Sequence, residues 1–200
     1  MITAVVLAAG QSLRMGQPKL LLPWQGQTLL GHVVNRVLAS SVDEAILVLG
    51  DDAERLESVV PKERVRVVRN PCPAEGQSGS LRYGLAALGT MVEAAVVVLA
   101  DQPFVDAAVL DTMIEAYRRS GRPIVVPYYG GQRGTPTLFA RSLFPELMAV
   151  RGDKGGREVL ARHEDLIVRV DFDSPLIGLD VDSWDDYQTL LGMEKASHDA

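Results

Sequence analysis

The chain of 200 residues holds one cysteine, three histidines and no apolar run long enough to span a bilayer. A single thiol, Cys72, closes no internal disulfide, which fits a reducing compartment and makes packing its expected role. The three histidines, His32, His163 and His198, are scattered without ligand spacing, so no His/Cys metal centre is expected. The first apolar segment, AVVLAAG, is too short for a membrane span and lacks the basic flank and cleavage site of a secretory leader. The expectation is a soluble cytoplasmic protein with no membrane partner. Positive charge is also scarce, with 20 Lys and Arg against 26 Asp and Glu and a net charge of -6. A general nucleic-acid binder gathers basic residues to release counterions, so nucleic acid is not an expected partner. Any phosphate must be held by a local cluster. No internal repeat and no Pro/Gly/Ser linker divides the chain, and 47% of the residues are apolar. One domain over residues 1–191 follows, with residues 192–200, GMEKASHDA, read as a flexible C-terminal tail.

What is present is a rhythm. Short β-branched runs at Thr3–Leu7, Glu44–Leu49, Arg64–Arg69, Ala94–Ala100, Pro123–Pro127 and Leu166–Asp171 read as strands, several apolar throughout and so buried on both faces. Helical stripes separate them: Leu29, Leu30, Val33, Val34, Val37 and Leu38 form one, and Val109, Leu110, Met113, Ile114 and Tyr117 another, with Asp106 placed to cap it. Strands alternating with helices predict right-handed βαβ crossovers and a Rossmann-like α/β fold, three layers α/β/α around a mostly parallel central sheet. Ligands in such sheets sit beyond the carboxyl ends of the strands, so residues after Leu7, Arg69 and Ala100 should face a site. The stretch Tyr128–Arg141, YYGGQRGTPTLFAR, breaks the rhythm and suits a hairpin or an excursion from the sheet. Trp24 and Trp184 read as packing anchors, and His32, among the apolar positions of its helix, as structural.

The segment VLAAGQSLRMGQPKL runs an apolar strand straight into glycines, an arginine and a lysine. Small residues Ala8, Ala9 and Gly10 let another molecule approach the main chain, whose N–H groups face an anion, while Arg14 and Lys19 add positive charge. It is neither a P-loop nor a GxGxxG fingerprint, because Gly10 and Gly16 are separated by five residues and no Lys-Ser/Thr follows. A flexible turn with solvated charges is the alternative. LAAGQSLRMGQPKLLLP resembles the signature loop LAAGxSxRMGxxK of nucleotidyltransferases with a Rossmann-like fold, most closely the MobA-like family and its molybdenum-cofactor cytidylyltransferases. The resemblance continues in order through EGQSGSLRYGL, LADQPFV, GQRGTPTLF, RGDKGGREVL and LDVDSWDDY, covering nearly everything from Thr3 to Leu190. It implies a sheet of the nucleotide-diphospho-sugar transferase type.

Nucleotidyl transfer must neutralise charge on an attacking and a leaving oxygen, commonly with Mg²⁺ held by one or two carboxylates, phosphates and water. Asp101 ends the apolar run AAVVVLA at the carboxyl edge of a central strand and is the expected metal ligand, with a turn cap as the alternative. In LDVDSWDDY, Asp180 and Asp182 alternate along an extended segment, so only one faces the metal directly. The resemblance favours Asp182, although Asp182 or Ser183 also suits a helix cap, and Asp185 and Asp186 read as charges complementing the helix dipole.

The resemblance further implies that Arg14 and Lys19 clamp the triphosphate, with Leu7, Ala8, Ala9 and Gly10 contacting the nucleotide and Lys19, Arg14 and Asp101 as the catalytic set. Gly76, Gln77, Ser78 and Ser80 lie where a polar loop and a helix N-terminus meet base or ribose, Ser78 being equally a candidate N-cap. Lys154 and Arg157, in GDKGGR, either hold the phosphate of a second substrate or are merely solvated. Ala8-Ala9-Gly10 and the Asp101-Gln102-Pro103 turn resemble cytidylyl rather than guanylyl relatives, which implies CTP. Thr135 stands where molybdopterin enzymes usually read GHP or GNP, so the acceptor side has changed. Three readings follow: Mg²⁺-dependent transfer of CMP from CTP to a molybdopterin-type phosphorylated acceptor in service of a molybdenum hydroxylase apoenzyme; nucleotidyl transfer to a sugar or polyol phosphate; or a nucleotide-binding delivery partner, including one turned to a nicotinamide cofactor.

Overall fold

The computed structural model describes residues 1–10, 15–152 and 154–198. Its strands are β1 (Ile2–Ala8), β2 (Pro23–Trp24), β3 (Gln27–Thr28), β4 (Glu44–Leu49), β5 (Val65–Arg69), β6 (Ala94–Leu99), β7 (Ile124–Tyr129), β8 (Gln132–Arg133), β9 (Thr137–Ala140) and β10 (Ile167–Phe172). The helices are α1 (Leu29–Leu38), α2 (Ala53–Glu57), α3 (Gln77–Ala86), α4 (Ala107–Ser120), α5 (Phe144–Ala149), α6 (Arg157–Arg162) and α7 (Trp184–His198). All six expected strands form, and α1 and α4 fall on the two expected stripes. Asp106 caps α4, its Oδ1 accepting from the Val109 amide at 3.0 Å.

The sheet runs in the order β10-β7-β9-β6-β1-β4-β5, with β8 paired to β7 and β2-β3 forming a separate hairpin. Neighbours β5, β4, β1 and β6 are parallel, as are β7 and β10. Because a strand buries both faces here, consecutive residues serve different cores. Val5 and Leu7 pack with Ile46 and Val48 beneath α3, α5 and α6, whereas Ala4, Val6 and Ala8 pack with Leu47 and Leu49 beneath α1, α4 and α7. The fold is the Rossmann-like three-layer α/β/α arrangement.

Three details differ from the sequence reading. The irregular stretch after Tyr128 takes the hairpin alternative, β8 turning back on β7, and then adds a strand the sequence did not announce: β9 enters the sheet antiparallel to both β6 and β7, its Thr137, Leu138 and Phe139 buried between them. The last helix continues to His198, past Leu191 where the apolar pattern stops. Cys72 and Trp184, both read as packing residues, are exposed, while Trp24 is buried against the rings of His32, Phe104 and Tyr187.

Strand order decides where a ligand fits. From β1 the chain proceeds to β4 and β5 on one side, then returns to place β6 on the other, so the connections leaving β1 and β6 diverge. The Ala100 amide donating to the Leu7 carbonyl at 3.1 Å keeps the two strand ends together beneath that divergence.

Candidate active site

Asp101 follows β6 at this edge. Its carbonyl accepts from the Val181 amide at 2.9 Å, which lays the extended segment Asp180–Asp182 alongside the strand end. Ser183 and Asp186 then start α7 as a reciprocal capping box: Ser183 Oγ accepts from the Asp186 amide, and Asp186 Oδ2 accepts from the Ser183 amide. With the cap supplied by Ser183, the Asp182 carboxylate turns to the site.

Lys19 arrives from the other side, in the short helical turn Lys19–Leu21 that follows the loop after β1. Its Nζ donates to Asp101 Oδ2 at 2.7 Å and to Asp182 Oδ1 at 2.9 Å. The Lys19 side chain is only 11% exposed. Burial works against its charge, yet Asp101 and then Asp182 outweigh it and hold the ammonium above its ordinary range. Among the described residues, Asp101 Oδ1 is buried without a hydrogen-bond partner. A buried carboxylate oxygen left in that state is costly unless something else ligates it.

Beside these residues lies a cavity of about 400 Å³. Leu7, Val97, Leu99 and Phe139 give it an apolar wall, Gln77, Gln102, Thr135 and Asp180 its polar groups, and Arg133 and Arg157 its cations. Gln102, 3% exposed, organises one side: its Oε1 accepts from Thr135 Oγ1 at 2.7 Å and its Nε2 donates to the Gly178 carbonyl at 3.3 Å. The neighbouring Asp180 carboxyl is pushed up to about 6 by removal from water and by the Asp101 charge, with Gln102 acting in the opposite direction. The alternation of the two aspartates therefore divides them, Asp182 toward Lys19 and Asp180 into the cavity wall.

The other sequence-predicted residues separate into groups. Leu7, Gln77, Thr135 and Arg157 line the cavity. Ala8 and Ala9 are buried at the end of β1, and Gly10 is exposed with open space where a Cβ would stand. Gly76 is the N-cap of α3, so Ser78 is not. Ser78 and Ser80 point inward: Ser78 Oγ accepts from the Gly155 amide at 3.1 Å, and Ser80 Oγ accepts from Asn70 Nδ2 at 3.1 Å. Lys154 is exposed, pairs with Glu158 at 3.8 Å and is not among the cavity's lining residues. Arg14 lies outside the described residues. The sequence reading missed Gln102 and Arg133. Gln102 sat in plain view within the Asp101-Gln102-Pro103 turn, but nothing in its spacing announced a buried amide facing Thr135.

Gly152 and Gly155 join two regions that look independent in sequence. The Gly152 carbonyl accepts from the Ser78 amide at 3.2 Å, and at Gly155 (φ 52°) a Cβ would stand 2.3 Å from Gln77 Oε1. The later half of the chain is thereby docked on the N-terminal turn of α3.

The model of the MobA-like NTP transferase domain matches residues 4–166. Nicotine blue oxidoreductase of Paenarthrobacter nicotinovorans is 30% identical over 95% of this chain and 96% of its own. The structure of Rv0371c from Mycobacterium tuberculosis H37Rv in complex with manganese shares 34% identity and a TM-score of 0.80, covering 96% of this chain and 98% of that one. A nucleotidyl transferase from Methanothermobacter thermautotroptrophicus shares 27% identity and a TM-score of 0.81, covering 95% of each chain. With this match over most of its length, and Lys19 in contact with Asp101 at the switch point of the sheet, the chain belongs to the MobA-like NTP transferase family and is a nucleotidyltransferase.

Proposed function

We propose that the protein transfers CMP from CTP to a molybdopterin-type phosphorylated acceptor, releasing pyrophosphate, with Asp101 and Asp182 holding Mg²⁺. The observation that carries this reading is the contact of Lys19 with both carboxylates beside a cavity with apolar walls and Arg157 in its lining. The donor set fits the metal. Among the described residues Asp101 Oδ1 lacks a hydrogen-bond partner, and no group of three or more His, Cys, Asp or Glu stands ready as a cage. Two carboxylates completed by phosphate oxygens and water is the habit of Mg²⁺. Bound there, the ion would neutralise charge on the phosphates and on the leaving pyrophosphate.

The chain's own groups do the rest. Lys19 moves onto the α-phosphate as negative charge builds there, together with Arg14. The exposed Gly10 leaves room for the triphosphate at the end of β1. Arg157 draws the acceptor phosphate into the cavity, and Thr135 and Asp180 offer oxygens to its donor groups. One acceptor phosphate oxygen attacks the α-phosphorus while the bond to the β-phosphate oxygen breaks. The apolar wall of Leu7, Leu99 and Phe139 keeps water from taking the acceptor's place. CTP is chosen on the Ala8-Ala9-Gly10 loop, and a molybdenum hydroxylase apoenzyme is the receiving partner.

The test is pyrophosphate release by the purified protein with Mg²⁺ and each nucleoside triphosphate, with and without molybdopterin. Release with CTP only when molybdopterin is present is the expected result; release with a sugar or polyol phosphate instead reassigns the acceptor. An oxidoreductase reading is favoured by one observation, the 30% identity to nicotine blue oxidoreductase over nearly the whole chain. Nucleotide-independent loss of reduced nicotinamide absorbance, with no pyrophosphate formed, would select it.

A further inference from the structure

Lys19 stands where a cation bridging Asp101 and Asp182 would stand. One Nζ at 2.7 and 2.9 Å from an oxygen of each carboxylate occupies the space between them, on a side chain only 11% exposed. A dication entering beside that ammonium meets a like charge within a few ångströms in a partly desolvated site, where such repulsion is strong. The turn that carries Lys19 is itself fixed: Leu20 is buried, and the Leu22 amide donates to the Lys19 carbonyl at 3.1 Å. Only the side chain is left to move.

Building on the nucleotidyl-transfer reading above, we propose that Lys19 acts as an internal counter-cation that keeps divalent metal out of the site until a nucleoside triphosphate draws the ammonium onto its phosphates. A triphosphate supplies both requirements at once. Its oxygens accept Lys19, and the same phosphates complete the shell of a metal that now takes the vacated Asp101 and Asp182 oxygens. Metal and nucleotide therefore load together, each raising the affinity for the other by the same factor.

The test uses Mn²⁺ alone as probe, read by the electron paramagnetic resonance signal of the free ion over the metal-stripped full chain, with and without CTP. Lys19→Gln and Lys19→Met should each bind Mn²⁺ without nucleotide on the order of tenfold or more tighter than wild type, since a unit of opposing charge is gone. Adding Asp101→Asn to either variant should abolish that gain, and Lys19→Arg, which keeps the charge, should stay near wild type. Melting curves identify which of the two neutral variants is folded, and either suffices. Neutral variants that bind Mn²⁺ no tighter than wild type overturn the inference. If wild type still takes up Mn²⁺ with CTP in that case, the proposed function stands without the gate. If no form binds Mn²⁺ under any condition, the metal assignment fails and the gate with it.

Discussion

Replacing Ser78 by alanine separates a structural seam from a nucleotide contact. Ser78 is fully buried, its Oγ accepts the Gly155 amide at 3.1 Å, and its own amide reaches the Gly152 carbonyl at 3.2 Å. The substitution removes the first bond and leaves a buried N–H without an acceptor, a loss of about 1–3 kcal/mol. For a domain of this size each kcal/mol lowers the melting temperature by roughly 2–4 °C, so a fall of about 2–12 °C is expected in a thermal melt. The loosened segment leads directly into Gly156 and Arg157, which line the cavity. Steady-state pyrophosphate release should therefore show the acceptor KM rising several-fold, while the KM for CTP stays within about twofold. A melting temperature unchanged from wild type together with a raised KM for CTP alone would refute the seam and restore Ser78 as a nucleotide contact.

Asp101→Ala should lower turnover by roughly 10²-fold or more, as expected for loss of a group that stabilises transferring charge, with the melting curve nearly unchanged because Lys19 keeps Asp182. Near-wild-type activity would dismiss Asp101 from the site. Gly84→Ala places a Cβ 2.4 Å from Val5 Cγ1 and 3.1 Å from Val48 Cγ2, so α3 must lift from β1 and β4. Overpacking of this kind costs about 1–3 kcal/mol, read as a lower denaturation midpoint; an unchanged midpoint would show that α3 yields freely. Desolvation and the Asp101 charge push the Asp180 carboxyl up to about 6 in the fold from an ordinary value of 3.8. A raised carboxyl favours the folded state fully below pH 3.8, and that contribution is lost as pH climbs through about 6. In the metal-stripped protein the melting temperature should accordingly fall across this window, and Asp180→Asn should flatten the profile; an equal slope in the variant would place the titration elsewhere.

Much of the architecture was legible because it is periodic. Apolar runs such as Ala94–Leu99 bury both faces of a central strand, and a strand's side chains alternate whatever surrounds it. Asp106 caps α4 through a bond to an amide three residues away, and Asp101 marks a strand end because the apolar run stops there. These are local matters. The same locality misled where a residue type has two uses: Ser78 and Ser80 look like ligand or cap hydroxyls until Gly155 and Asn70 are found beside them. Lys154 looks like a phosphate anchor until its side chain is seen paired with Glu158 at the surface. Strand β9 escaped notice because its four residues are too few to show a period, and its place between β6 and β7 depends on strands already formed.

By itself, then, the chain's order of residues determined the elements, the crossover sheet and the carboxyl edge where chemistry gathers, since each follows from repeats of a few residues. Only the tertiary structure decided that Lys19 meets Asp101 across 82 residues and Asp182 across 163, that Asp180 turns into the cavity, and that Gln102 holds Thr135. The reason is physical: backbone period sets which way a side chain alternates, but strand order and the docking of loops set what it finds there.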